Sequence, residues 1–336
     1  YKSMLETELN SDDEFYYTGA NIVSIPHTSG DSNSSYGILN ESKKSYNSIY
    51  NNLVNTKEIS YFPNGNVLKE NIYNYDYVQN LLTRHTVVAE GTNYPLYEYT
   101  ENFYPYSYEY LNDPIIQNLN NLNKISTPIK VQTFRGELDL VNQNQTVTNL
   151  INSSQVIFKQ NSSTSNFVLP SKTQRHSLKT NQYEDEIIFD LYDNKGNLLQ
   201  FHNSLGIPTT IIYGYNQTLP IAKIEGASYT QVMQAMGLGS NNNSYLGLNI
   251  SSLSNLDIDA NTEQSLLMGL KNFRDNSAFS QFFITTYTYN PLVGVASITP
   301  PSGITEYFIY DTANRLQKTV DINGNIMNEY KYHYKQ

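Results

Sequence analysis

The chain has no cysteine and no tryptophan, and charged residues make up only 15% of it. Without cysteine it can form no disulfide, no thiolate nucleophile, no cysteine-ligated zinc site and no iron–sulfur cluster. That absence fits an extracellular or bacterial cell-surface protein stabilised by buried area rather than by covalent staples. Basic residues are scarce, 21 Lys and Arg against 31 Asp and Glu, for a net charge of −10. Such a balance argues against a nucleic-acid partner, because phosphate binding needs clustered positive charge. No apolar run reaches the roughly 18 to 20 residues of a membrane-spanning helix, so no membrane span is expected in this segment. The opening stretch, with LETELNSDDEF from Leu5, is acidic and lacks the layout of a signal peptide. It reads as the continuation of a longer chain, whose upstream remainder would be the first partner of these residues. The five histidines, His27, His85, His176, His202 and His333, stand at no metal-ligand spacing, and no H-E-x-x-H occurs. No P-loop, dinucleotide fingerprint or nucleophile elbow is found either. No catalytic, cofactor-binding or metal residue is therefore assigned, and no cofactor is expected.

What the sequence has instead is tyrosine, 30 residues of it, together with abundant asparagine and serine. Tyrosine favours strands and asparagine favours turns, which weights the chain towards an all-β protein. Turn residues recur at Gly303, Asn314 and Gly324, and again at Gly196 and Gly206, ten or eleven residues apart. One short strand plus one tight turn has that length, so the expected arrangement is an antiparallel meander. Tyrosines alternate at period two: Tyr73, Tyr75 and Tyr77; Tyr97 and Tyr99; Tyr104, Tyr106, Tyr108 and Tyr110; Tyr213 and Tyr215; Tyr287 and Tyr289; Tyr330, Tyr332 and Tyr334. Alternation places each row on one face of a strand, with Glu329, Lys331, His333 and Lys335 opposite the last row. A tyrosine face is half dry, because the ring seeks burial and the hydroxyl seeks a partner. It suits cross-strand packing or, alternatively, an exposed glycan platform.

Further strands are expected over 20–25, 129–134, 155–159 and 166–169, with a loop over 29–35. A hairpin is expected over 59–77, turning at Pro63-Asn64-Gly65. Residues 228–280 break the β pattern. Ser228 caps a helix bearing Tyr229, Val232, Met233 and Met236, and Gly237 ends it. Asn261 with Gln264 resembles a capping box, ahead of Leu266, Leu270 and Phe273 at helical spacing. Carboxylates cluster at Asp12-Asp13, at Glu184 and Glu186, and at Asp257 with Asp259. The last pair, with Asn261, has the spacing of the first ligands of a calcium loop, but Thr262 and Met268 stand where that loop needs Gly and Glu. Solvated loops and a helix cap are the plainer uses of these residues. Asp311-Thr312-Ala313 has the form of a bacterial O-glycosylation site, and its place at a repeat turn makes coincidence the simpler account.

Two segments carry a family resemblance. Tyr192-Asp193-Asn194-Lys195-Gly196-Asn197-Leu198 and Tyr310-Asp311-Thr312-Ala313-Asn314-Arg315-Leu316 share a Tyr-Asp pair, two variable residues, a Gly or Asn, then Asn or Arg and Leu. Asp321-Ile322-Asn323-Gly324-Asn325 is a half-repeat, and Pro301-Ser302-Gly303 is a turn of the same kind lacking its aspartate. These residues resemble the Rhs, or YD-repeat, family, clearly over 187–226 and 284–336 and faintly over 59–77. The resemblance implies an antiparallel β-sheet spiralling into a shell- or barrel-like wall, here with a short helical insertion. It implies a structural part for Tyr192, Asp193, Gly196, Asn197, Gly206, Gly303, Tyr310, Asp311, Asn314 and Gly324, which would build the repeat turns. The expected division is 1–180, β-rich; 181–227, repeat strands; 228–281, helical insertion; and 282–336, repeat strands. The expected function is a non-enzymatic scaffold or shell segment of a secreted or cell-surface protein, enclosing a cavity or presenting a surface to other cell-surface or secretion proteins or to glycans. A tyrosine-lined glycan-binding module is the alternative. The shell of an Rhs-type toxin-delivery system is a further one, weakened because no cargo domain follows the repeats within these residues and no Asp-Pro-x-Gly cleavage motif precedes them.

Overall fold

A computed structural model describes the backbone over residues 6–9, 14–23, 38–47, 52–62, 65–76, 79–90, 96–139, 144–145 and 149–332. The chain divides into two compact units, Tyr1–Val156 with Gln174–Glu184, and Ile157–Thr173 with Asp185–Gln336. Both are built from antiparallel strands paired in chain order, and among the described residues no pairing closes the sheet into a barrel.

In the first unit the meander runs through β1 (Glu6–Leu9), β2 (Glu14–Val23), β3 (Ile38–Asn47), β4 (Asn52–Phe62), β5 (Gly65–Tyr75), β6 (Leu82–Glu90), β7 (Leu96–Phe103) and β8 (Lys130–Asp139). β9 (Asn144–Gln145) and β10 (Asn149–Lys159) both pair with β8. The tyrosine alternation holds on β7, where Tyr97 and Tyr99 lie on one face with ring centroids 5.5 Å apart and Tyr99 stacks on its cross-strand partner Phe134. Such pairs are the unit of sheet stabilisation. The same rule pairs charges across strands, with Arg84 opposite Glu101 and Arg135 opposite Glu98.

Several expected boundaries shift here. Tyr104, Tyr106, Tyr108 and Tyr110 do not form a strand. β7 ends at Phe103, the Tyr104 amide donates to Ser107 Oγ, and Tyr108–Tyr110 is a single 3-10 turn with Tyr108 89% exposed. Pro105 has no N–H for a ladder, and Asp113 caps a helix beginning at Pro114, so the chain leaves the sheet. That helix, α1 (Pro114–Asn121), was not expected; it buries Ile116 and Leu119. The strand expected over 129–134 starts at Lys130 and runs to Asp139. The one expected over 166–169 is mostly a reversal, with Ser165 and Asn166 both at positive φ, ahead of β11 (Leu169–Ser177). In the 59–77 hairpin Phe62 pairs with Gly65, so Gly65 belongs to the ladder and not to the turn. The strand expected over 20–25 is β2, of which 24 and 25 lie outside the described residues. So do the 29–35 loop, Tyr77, His27, His333 and Tyr334.

In the second unit β12 (Gln182–Tyr192), β13 (Leu198–Asn203), β14 (Pro208–Gly214) and β15 (Leu219–Glu225) form one run, and β16 (Phe283–Asn290), β17 (Gly294–Thr299), β18 (Glu306–Tyr310), β19 (Leu316–Val320) and β20 (Ile326–Glu329) form another. β15 pairs directly with β16, Ala222 facing Thr286. The helical insertion between them therefore leaves the sheet and returns to the neighbouring position without interrupting it. It contains α2 (Tyr229–Ala235), α3 (Asn249–Asn255) and α4 (Ala260–Arg274). Ser228 caps α2 reciprocally with Gln231, and Gly237 follows at φ +70°. α4 is capped by Asp259 with Thr262, two residues earlier than the expected Asn261 with Gln264. Asp accepts the first free amides at least as well as Asn and also opposes the positive end of the helix dipole. The expected Leu266, Leu270 and Phe273 are buried. With Tyr229, Val232, Met233, Tyr245 and Leu248 they cover Leu199, Ile212, Ile221, Ile224 and Ile284 of the sheet, giving the main hydrophobic core. α3 lies so close to β14 that a Cβ on Gly214 would stand 2.1 Å from Ser254 Oγ. β20 ends at Glu329, so Tyr330 and Tyr332 continue no strand, and both are exposed.

Candidate functional site

The residues that carry the repeat lie in turns of one design. Asp193 accepts at Oδ1 from the amides of Lys195 and Asn197, and at Oδ2 from Asn197 Nδ2. Asp311 accepts at Oδ1 from Ala313 and Arg315, and at Oδ2 from Arg315 Nε. Asp321 accepts at Oδ1 from Asn323 and Asn325, and at Oδ2 from Asn325 Nδ2. In each, the amide three residues on donates to the aspartate's own carbonyl: Gly196, Asn314 and Gly324. Those residues are at φ +86°, +58° and +80°, which glycine adopts freely and asparagine tolerates best among the rest. Gly206 at φ +75° closes a turn in which Asn203 Oδ1 replaces the carboxylate, receiving Leu205 and Ile207. Gly303 at φ +82° bonds Pro300, which offers its carbonyl and no side-chain acceptor.

The tyrosine before the aspartate has its own part. The strand register shifts at Tyr192 and at Tyr310, as it does at Tyr75, Tyr213 and Tyr289. A bulge of this kind twists the strand end and re-aims its side chain. Tyr192 OH then donates to Pro170 O at 2.7 Å, Tyr289 OH to Pro220 O at 2.8 Å and Tyr310 OH to Val295 O at 3.0 Å. Under Tyr310 sits Gly294, where a Cβ would lie 2.4 Å from the hydroxyl. A further turn escaped the sequence reading. Tyr75-Asp76 is followed by Asn80 at φ +57°, with Asn80 N bonded to Asp76 O and Asp76 N to Leu81 O. The Tyr-Asp pair was visible, but its spacer is one residue longer than in the other copies.

One turn is built into a larger network. Asp193 is fully buried, and its Oδ2 also accepts from Tyr245 OH at 2.7 Å and Gln217 Nε2 at 3.3 Å. All five bonds to this carboxylate come from neutral donors. Burial first, and the Asp193 bond next, push the Tyr245 hydroxyl's pKa up. Gln217 ends a run of three residues, Tyr215, Asn216 and Gln217, at positive φ of +50°, +58° and +67°. Backbone of this kind persists only where its surroundings impose it. Here Tyr215 N donates to Ser254 Oγ and Asn216 N to Asn255 Oδ1, both on α3. Asn242 Nδ2 donates to Tyr192 O, so the insertion holds both turns at that end of β12–β15.

A cavity of about 470 Å³ lies at the other side of the insertion, between the start of α4 and β16–β18. Its carboxylates are Asp257, Asp259, Glu263 and Asp311, and its rings include Tyr289, Tyr307 and Tyr310. Asp257 is 7% exposed and accepts from Tyr215 OH at 2.6 Å, and Tyr215 OH in turn accepts from the Tyr289 amide at 2.9 Å. Glu263 Oε1 accepts from Thr288 Oγ1 at 3.2 Å. Burial pushes the pKa of both Asp257 and Glu263 up, and Glu263 is raised further by the Asp257 charge. The expected pairing of Asp257 with Asp259 is thus divided: Asp259 caps α4 and is held low by Thr262, while Asp257 turns inward. Among the described residues no group of three or more His, Cys, Asp or Glu is arranged to hold a metal ion. His202 Nδ1 lies 2.9 Å from Asp190 Oδ2.

No family model matches the chain, and no curated protein matches it. Solved structures do resemble it. In the crystal structure of TcdB2-TccC3-Cdc42 a chain is similar over 98% of the present one, at 7% identity and a TM-score of 0.30. In that of TcdB2-TccC3 without its hypervariable C-terminal region the likeness covers 94%, at 7% identity and a TM-score of 0.29. The present chain spans about a fifth of the length of those chains, 18% and 20%.

Proposed function

We propose that the chain is a non-enzymatic wall segment of YD-repeat type, belonging to a secreted or cell-surface protein and enclosing a cavity or presenting a surface to partners. The observation that carries this reading is where the repeat's reactive groups go. Asp193, Asp311 and Asp321 each accept backbone amides of their own turn, and the hydroxyls of Tyr192, Tyr289 and Tyr310 each reach a neighbouring strand's carbonyl. Side chains bonded in this way hold strands together and are not available to a substrate. A glycan array and a panel of glycoside substrates test the reading. No binding and no hydrolysis is expected, and Tyr310→Phe is expected to lower thermal stability alone. Wild-type glycan binding that is lost in Tyr289→Phe or Tyr310→Phe would replace the wall with a glycan platform. Fractionation of the producing cell is expected to place the protein at the surface or outside, and a cytosolic pool would remove that part of the proposal.

A further inference from the structure

The seam between α4 and β16 is held by carboxylates in an unusual setting. Asp257 and Glu263 bond to the hydroxyls of Tyr215 and Thr288, and no Lys, Arg or His lines the cavity beside them. A carboxylate drawn out of water and given a single neutral donor is more costly as an anion than as an acid. The other groups facing them do not relieve this. Tyr215 and Tyr289 have their pKa pushed up by burial, Tyr289 to about 12, and so stay neutral. Tyr307 and Tyr310 face the cavity from β18. Asp259 is occupied at the α4 cap, and Asp311, which also lines the cavity, is paired with Arg315 at 2.6 Å.

We propose that this seam is an acid-closed latch: protonation of Asp257 and Glu263 seats the helical insertion on β16, and their joint ionisation loosens it and opens the tyrosine-lined cavity. A carboxyl pushed up in the folded state lends stability that is complete at acid pH and is lost as pH rises through its folded value. The same direction holds for both residues, so they act together. Asp259, Asp311 and Asp321 are held low instead, and their window lies below the ordinary carboxylate range, away from that of the latch.

The test is amide hydrogen exchange of the full chain from the ordinary carboxylate range, about pH 4, up to about pH 8, corrected for intrinsic exchange. Protection of the α4 amides is expected to fall severalfold across that interval, while β18 and β19 keep theirs. Glu263→Gln is expected to shrink the pH response, and Asp257→Asn with Glu263→Gln to abolish it with α4 protected throughout. Equal wild-type protection at both ends overturns the latch, as does a full response in the double variant. Should Asp257→Asn not fold, carbon-detected titration of the wild-type carboxyls decides the matter. Midpoints above the ordinary carboxylate range for both residues uphold the latch, and ordinary midpoints overturn it.

Discussion

Asp193 and Asp311 make the same turn in different company. Each accepts two amides of its own loop, and each is followed three residues later by a left-handed residue. At β18–β19 the turn is only partly covered, and its second oxygen goes to Arg315, a half-exposed pair that salt screens. At β12–β13 the second oxygen is covered by the insertion and takes Tyr245 and Gln217. The difference teaches that the repeat specifies a local shape, while the energetic weight of its aspartate is set by what packs over it. One motif thus serves as a surface turn in one place and as an anchor for an α-helical layer in another.

The widest separation between the two turns is expected from Asp193→Ala and Asp311→Ala. Removing the buried carboxylate strands the Tyr245 hydroxyl and two amides, and thermal or denaturant unfolding is expected to show a loss of about 3 kcal/mol. Asp311→Ala, which frees two loop amides and the Arg315 side chain but no buried hydroxyl, is expected to lower the melting temperature far less. Equal losses would mean that the insertion adds nothing to the turn.

A smaller effect separates two glycines. Gly214→Ala drives a Cβ into Ser254 and is expected to cost about 2 kcal/mol, with the strained 215–217 turn released from α3. Gly206→Ala meets nothing within 4 Å and bears only the left-handed backbone penalty, about 1 kcal/mol. A Gly206 effect as large as that at Gly214 would show that close approach of α3 is not what selects glycine there.

The smallest effect is one of acid stability. Arg315 Nε, then the Arg315 and Ala313 amides, hold Asp311 below its ordinary range. A depressed carboxylate lends stability above its unfolded pKa that is lost as pH falls through its folded value. Arg315→Ala is therefore expected to raise the Asp311 titration midpoint in a carbon-detected titration and to lower stability slightly near neutrality, a loss that disappears at low pH. An unmoved midpoint would assign the depression to the backbone amides alone.

Much of this was legible in the residues. The ten-residue turn spacing, the Tyr-Asp pairs and the interruption at 228 gave the meander and the insertion, because each depends on local backbone chemistry. The bulges at Tyr192 and Tyr310 left no mark in the sequence, since a shifted register depends on the partner strand. Tyr104 to Tyr110 alternate as a strand would, yet Pro105 and the cap at Asp113 outweigh the alternation. Neither Tyr245 nor Gln217 stood out, because they reach Asp193 across 52 and 24 residues of chain. The seat of Asp257 and Glu263 was hidden for the same reason: Tyr215 and Thr288 reach them across 42 and 25 residues of chain.

The central claim, that the insertion turns a repeat aspartate into an anchor, is tested most directly by a double-mutant cycle of Asp193→Asn with Tyr245→Phe in equilibrium unfolding. The account predicts a coupling of about 1 kcal/mol or more between the two positions. Losses that add to within about 0.3 kcal/mol would contradict it, leaving Asp193 a turn residue like any other.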